Sequence, residues 1–260
     1  GALRMFLLGS AGTGKSRTVR AFVGGIRDRL RAAYDQKTAT LFQRGARPQV
    51  VEKLRQECAE RVGNVCLLAA PTGCASFQLK FGASTLHRVF GVPVGYCGPW
   101  ASRTNKRYLK MKTRMTQARL FVMDEMSMIG RQMLGEIEFK IQDVLGNSRC
   151  AQGREIHLGG TGTVLSGDPK QCAPVGDEPL FKEGDYQGKG LNMPAKCAAR
   201  PPGAWSCHKF VRTAMAVRDE FEDVVLLRQV HRISETCAGL SADRAAQYRA
   251  DSEMWLKVTR

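Results

Sequence analysis

The sequence predicts an α/β protein built on a parallel sheet with helices on both faces, and three observations carry that prediction. Short apolar runs bounded by turn residues recur at positions 3–8, 65–70, 120–123, 163–165 and 224–227. Amphipathic or mixed stretches of helical length lie between them, which is the pattern of strands joined by helical crossovers. The first run also ends in a glycine-rich turn that passes directly into a helical stretch. Helices are expected to begin at Lys15, about Gln49, about Asn105, Arg131 and about Ser206. The clearest spans residues 130–145, where Met133, Leu134, Ile137, Ile141, Val144 and Leu145 fall on one apolar stripe.

The chain has 260 residues, 43% of them hydrophobic, enough for one large α/β domain with a substantial core. Its 40 Lys and Arg against 24 Asp and Glu give a net charge of +16, which favours a polyanionic partner such as nucleic acid. No apolar run approaches the ~20 residues of a membrane span, and the N-terminus lacks a signal-peptide pattern, so a soluble protein with no membrane partner is expected. The 9 cysteines are scattered without a C-x-x-C pair. An odd, irregular set argues against a disulfide framework and for a reducing, intracellular compartment, nuclear or mitochondrial in a eukaryote. Cys207 and His208 are neighbours, but nothing close to them completes a zinc tetrad, and no structural metal is expected.

Two stretches fit the sheet less well. Residues 27–64 read as a charged helical insertion, most simply a solvated hairpin. Residues 82–117 form a second insertion, where Trp100 and Tyr108 are interleaved with Arg103, Lys106, Arg107, Lys110, Lys112 and Arg114. Rings among cations suit a single-strand groove, in which bases stack and phosphates pair with charge. The same pattern also suits a solvated basic helix, and both readings stand at this point.

The glycine-rich turn is Gly9-Ser10-Ala11-Gly12-Thr13-Gly14-Lys15-Ser16, which matches G-x-x-x-x-G-K-[ST] between a strand and a helix. Its glycines let successive N–H groups and a helix N-terminus face an anion, Lys15 reaches the β- and γ-phosphates of ATP, and Ser16 can ligate Mg²⁺. A P-loop NTPase fold follows. The run 120–123 ends in Asp124-Glu125, which places Asp124 to hold the metal and Glu125 to orient and deprotonate an attacking water. Adjacent acids at a strand end can also cap a following helix.

A third strand ends in Ser166-Gly167-Asp168-Pro169-Lys170-Gln171. Together with Ala70-Pro71-Thr72-Gly73-Cys74-Ala75, Ser84-Thr85-Leu86-His87 and Asp124-Glu125-Met126-Ser127-Met128, it resembles the superfamily-one DNA helicases of the PIF type, relatives of RecD. The resemblance spans about residues 4–232, with the motifs in the expected order. It implies a RecA-like sheet, with Gln171 approaching the γ-phosphate. It also implies that Pro71, Thr72, Gly73, Thr85 and His87 lie towards single-stranded DNA. The segment 225–232 resembles the strand that delivers an arginine to the γ-phosphate, which makes Arg232 the candidate for stabilising transferring charge.

Cys172-Ala173-Pro174 stands where the family usually has Leu-Pro-Pro, and Ile233 where glutamine is common; neither position has a necessary chemical role. The expected organisation is one RecA-like ATP-binding core over residues 1–235, with residues 236–260 a helical extension or the start of a second RecA-like domain missing from this chain. The function implied is that of an ATP-dependent motor moving 5′ to 3′ on single-stranded DNA, in repair, recombination or replication. The alternatives are a helicase-like module of a rolling-circle transposon and a nucleic-acid-binding remnant without turnover.

Overall fold

The computed structural model describes residues 1–93, 103–146, 148–149, 155–182 and 206–230. Six parallel strands form one sheet in the order β3-β2-β4-β7-β1-β8. They are β1 (Arg4–Gly9), β2 (Cys66–Ala70), β3 (Ser84–Thr85), β4 (Leu120–Met123), β7 (Gly162–Gly167) and β8 (Asp223–Leu227). A separate antiparallel pair joins β5 (Ser148–Arg149) to β6 (Glu155–Ile156). Helices fill the connections: α1 (Lys15–Gln43), α2 (Pro48–Asn64), α3 (Gly73–Leu79), α4 (Leu86–Phe90), α5 (Lys106–Gln117), α6 (Arg131–Leu145) and α7 (Cys207–Asp219).

Alternation along each strand divides the core between the two faces of the sheet. Phe6, Leu67, Ala69, Phe121, Met123 and Leu165 join one cluster with α4, α5, α6 and α7. Leu7, Cys66, Leu68, Ala70, Leu120, Val122 and Val164 join the other, against Val19 and Val23 of α1 and Leu79 of α3. Each fully buried large side chain contributes about 1.5–3 kcal/mol. Helices on both faces are what the near-continuous apolar strands required, since neither face could be left to water.

Helix α1 runs without a break through Arg27 and turns at Gly45 into α2, against which it packs. Arg27 is buried; its guanidinium lies 5.2 Å from the Phe81 ring centroid and donates to the Phe81 carbonyl at 3.1 Å. Helix α6 is buried nearly all round, its polar Arg131, Glu136, Glu138 and Lys140 included. Gly135 permits the close crossing with α7, because a Cβ there would stand 2.1 Å from the Phe210 carbonyl oxygen. No helix of the described residues is long and apolar enough to cross a membrane.

Candidate active site

Because all six strands are parallel, their carboxyl ends share one edge, where ligands of open α/β sheets bind. Gly9 ends β1, Asp124 follows β4, Asp168 follows β7, and Pro71 and Thr85 mark the ends of β2 and β3. Gly9 and Asp168 are 159 positions apart in the sequence, and the strand order gathers them.

The loop at residues 9–16 is closed by its own bonds. Thr13 Oγ1 donates to the Ser10 carbonyl at 2.9 Å, and Gly12 and Gly14 hold φ of 83° and 91°, a region that favours glycine. A side chain at Gly9 would meet Thr13 Oγ1 at 2.5 Å and the Leu227 carbonyl oxygen at 3.0 Å, so the loop is pressed against β8 as well. Lys15 is buried, its ammonium donating to the carbonyls of Gly9 at 2.6 Å and Ser10 at 3.0 Å. Ala11 is exposed, and Ser16 opens α1 half-buried.

Asp124 is 4% exposed, and burial pushes its carboxyl above the usual carboxylate range. The Ser166 hydroxyl, the Glu125 amide, the Lys15 ammonium and the Ser16 hydroxyl oppose that shift from nearby. Asp124 Oδ1 is buried without a hydrogen-bond partner in the structure. A carboxylate oxygen in that condition, beside the Ser16 hydroxyl, has the chemistry of a hard-cation ligand and fits Mg²⁺. Among the described residues no cluster of three His, Cys, Asp or Glu side chains forms a protein-only metal cage.

Glu125 adopts φ 53°, ψ 49°, a left-handed conformation that costs a non-glycine residue about 1–3 kcal/mol. It opens the 3-10 turn Met126–Met128, and its partly buried carboxyl is raised by burial, then by Asp124, with Lys15 lowering it and Asp168 raising it. Lys15 is therefore close enough to act on both acids. Gly167 lets β7 approach this turn, since a Cβ there would lie 2.8 Å from the Met126 nitrogen.

Gln171 lies exposed in the turn that Asp168 organises, with the Gln171 amide donating to the Asp168 carbonyl at 3.1 Å and the Lys170 amide to Asp168 Oδ1 at 3.0 Å. Thr72 caps α3 by accepting from the Ala75 amide at 3.2 Å. Pro71, Thr72 and Gly73 lie three strands from β1, and Thr85 and His87 four strands away, beside them through the Ala70–Thr85 register. At ~4.8 Å per strand that is about 14 and 19 Å from the loop strand, a place on the same edge but apart from the nucleotide. Arg232 and Trp100 lie outside the described residues; β8 ends beside the loop, with Leu227 in register with Gly9.

The single-strand groove reading of the basic stretch is corrected at Tyr108. Its ring is 3% exposed and packs in the core with Met111 and Met115, so it is not available to stack on a base. Lys106, Arg107 and Lys110 remain on the exposed face of α5. Sequence reasoning missed Ser166, Asp168 and the approach at Gly167. The signal for all three lay in the segment already quoted, but their neighbours are 40 or so positions away and only the pairing of β4 with β7 brings them close.

A parallel sheet whose first strand feeds this loop, with the acidic strand two places along, defines a P-loop nucleotide-binding domain of RecA type. Residues 47–183 match the family of PIF1-like helicases, and since the match takes in more than half of the chain, the chain belongs to that family. The Pif1 helicase from Candida albicans has a similar fold, with a TM-score of 0.50 at 20% identity over 94% of this chain and 43% of that one. Bacteroides Pif1 bound to single-stranded DNA gives 0.46 at 20% identity over 88% and 39%. The Bacteroides Pif1 helicase in complex with ADP-AlF3 and single-stranded DNA gives 0.48, also at 20% identity over 88% and 39%. The chain thus spans about two fifths of the length of these helicases. Comparison with curated proteins gives no match.

Proposed function

We propose that the chain is the ATP-hydrolysing first RecA-like domain of a DNA helicase motor. The observation that carries this reading is the meeting of Lys15 with Asp124 and Glu125 at the edge where the loop 9–16 opens. In this assignment the loop amides and Lys15 hold the phosphates, Lys15 leaving its carbonyl partners for phosphate oxygens. Ser16 and Asp124 hold Mg²⁺, which neutralises charge on the phosphates when bound. Glu125 orients water and takes its proton; Gln171 and Arg232 report on the γ-phosphate.

Pro71, Thr72, Gly73, Thr85 and His87 are assigned to single-stranded DNA, supported by their common edge and by the net charge of +16. A second RecA-like domain would close on the nucleotide edge and convert the cycle into 5′ to 3′ stepping in replication, repair or recombination. The extent of the first domain to residue 235 belongs to the same proposal. Steady-state ATP hydrolysis with and without single-stranded DNA, alongside nucleotide binding, tests the reading in the wild-type chain, Lys15→Ala and Glu125→Gln. DNA-stimulated turnover lost in both variants supports it. Nucleotide binding without turnover in the wild type assigns hydrolysis to the two-domain protein, and no nucleotide binding refutes the reading.

A further inference from the structure

Helix α6 begins at Gly130, which has no side chain to cap the first amides of the helix. The cap comes from the far side of β7. Asp177 Oδ1 accepts from the Gln132 amide at 3.1 Å and Oδ2 from the Met133 amide at 3.0 Å. Asp177 Oδ1 also accepts from the Glu178 amide at 2.7 Å, which fixes the carboxylate to its own turn. A Cβ on Gly130 would stand 2.1 Å from Asp177 Oδ2, so the local cap is absent where the distant one enters.

The contact is reinforced on each side. Gly130 forms an antiparallel bridge with Pro179, and the Arg131 amide donates to the Glu178 carbonyl at 2.9 Å. The Arg131 guanidinium, 2% exposed, pairs with Glu178 at 3.4 Å and donates to the Lys182 carbonyl. Residues 177–182 are thereby fastened to the start of α6. That start lies directly after the turn opened by Glu125, and residues 177–182 lie directly after the exposed turn that carries Gln171. The other end of the Gln171 turn is held at Gly167, against Met126. The turn 168–176 is therefore anchored at both ends to the one segment that also carries Glu125.

We propose that Asp177 is a positioning residue: by capping α6 from a distance it ties the Gln171 turn to the Glu125 segment, so that both meet a bound nucleotide in one fixed register. The inference rests on the nucleotide reading of Gln171 and Glu125 given above. The competing account is a cap whose only effect is about 1 kcal/mol of helix stability. The two accounts separate because a helix cap can be removed elsewhere without touching the tether. Ser206 caps α7 by accepting from the Lys209 amide at 3.0 Å, and Ser206→Ala removes a cap of the same kind while leaving Asp177 and its hold on the Gln171 turn in place.

The experiment compares the wild-type chain, Asp177→Ala and Ser206→Ala by thermal melting, by amide exchange, and by affinity for a fluorescent ATP analogue and its ADP counterpart. Asp177→Ala is expected to lower the melting temperature, to speed exchange of the Lys170 and Gln171 amides about tenfold, and to erode the preference for ATP over ADP. Ser206→Ala is expected to lower the melting temperature as well, but to leave the protection of 168–176 and the ATP preference as in the wild type. The same loss of protection and of ATP preference in Ser206→Ala, or no change at 168–176 in Asp177→Ala, overturns the proposal. So does an unaltered ATP preference once the tether is lost. A wild-type chain without nucleotide affinity overturns this proposal together with the nucleotide reading; it is told apart from failure of the tether alone by the exchange pattern, which needs no nucleotide.

Discussion

Glu125 combines a left-handed backbone, partial burial and two neighbouring carboxylates, all of which disfavour its charged form or its conformation. A group held this way at a sheet edge is poised for proton transfer, because a base works best with its pKa brought towards the operating pH. The acid limb of the pH dependence of turnover is therefore expected above the ordinary glutamate value of 4.5. The same shift has a stability consequence. A carboxyl raised on folding binds more protons in the native state, so its contribution is favourable below the unfolded value and is lost as pH rises through the folded one. At neutral pH the charge on Asp124 and Glu125 is thus a cost to the nucleotide-free chain. Glu125→Gln is expected to raise the melting temperature at neutral pH while lowering turnover by about 10²–10⁴-fold, and the gain is expected to shrink as pH falls towards 4.5. Melting curves across that range check it; a variant less stable than wild type at neutral pH contradicts the argument.

At the scale of elements, what was legible in the sequence is what a strand or helix declares locally. Five strands each form a continuous apolar run, and Lys15 and Arg131 open helices where the reading placed them. The two-residue strand Ser84–Thr85 has no run to declare and exists because it pairs with Ala69 and Ala70. The apolar stripe of α6 was legible, but burial of its opposite face was not, since Glu136, Glu138 and Lys140 look like a solvated side until α7 and residues 155–160 cover them. Gly9 to Ser16, Asp124 and Glu125 were readable because their chemistry is written contiguously. Asp177 was not, because the amides that it caps lie 45 and 44 positions away. On α5 the sequence showed Tyr108 among cations, and only helical periodicity against α6 decides that it faces inward with Met111 and Met115. Tyr108→Ala is accordingly expected to cost about 3–5 kcal/mol, the range of large aromatic truncations, measured by chemical denaturation. Lys110→Ala on the exposed face is expected to stay within about 0.5 kcal/mol. A solvated Tyr108 would show the small value instead.

Across the whole molecule, the end of the sheet opposite the loop is closed by buried polar groups rather than by apolar packing. Arg4, at the start of β1, donates to the carbonyls of Thr161 at 2.6 Å and His157 at 2.7 Å, and pairs with Glu220 beyond α7 at 2.9 Å. Glu138 of α6, fully buried, accepts from the Leu158 amide at 2.7 Å and meets His157 Nδ1 at 3.3 Å, while His157 Nε2 stands 3.8 Å from Glu220. The cluster joins the start of β1, the entry to β7, α6 and the end of α7, and lies about 16 Å along β1 from the nucleotide edge. The hydrogen bond to Glu138 raises the His157 pKa, against burial, with the charges of Glu138, Glu220 and Glu155 adding to the rise. A histidine raised on folding contributes stability that is complete below its ordinary value of 6.5 and is lost as pH rises through the folded value. This window opens at 6.5, whereas those of Asp124 and Glu125 open at 3.8 and 4.5, and the His157 variant separates its part from theirs. Unfolding free energy is expected to decline as pH rises above 6.5, and His157→Gln is expected to flatten that decline while leaving nucleotide affinity at pH 7 unchanged. Denaturant titrations of both chains below and well above that pH decide it: an equal decline in wild type and variant would remove His157 as the cause, and a parallel loss of nucleotide affinity would show that the two ends of the sheet are coupled rather than independent.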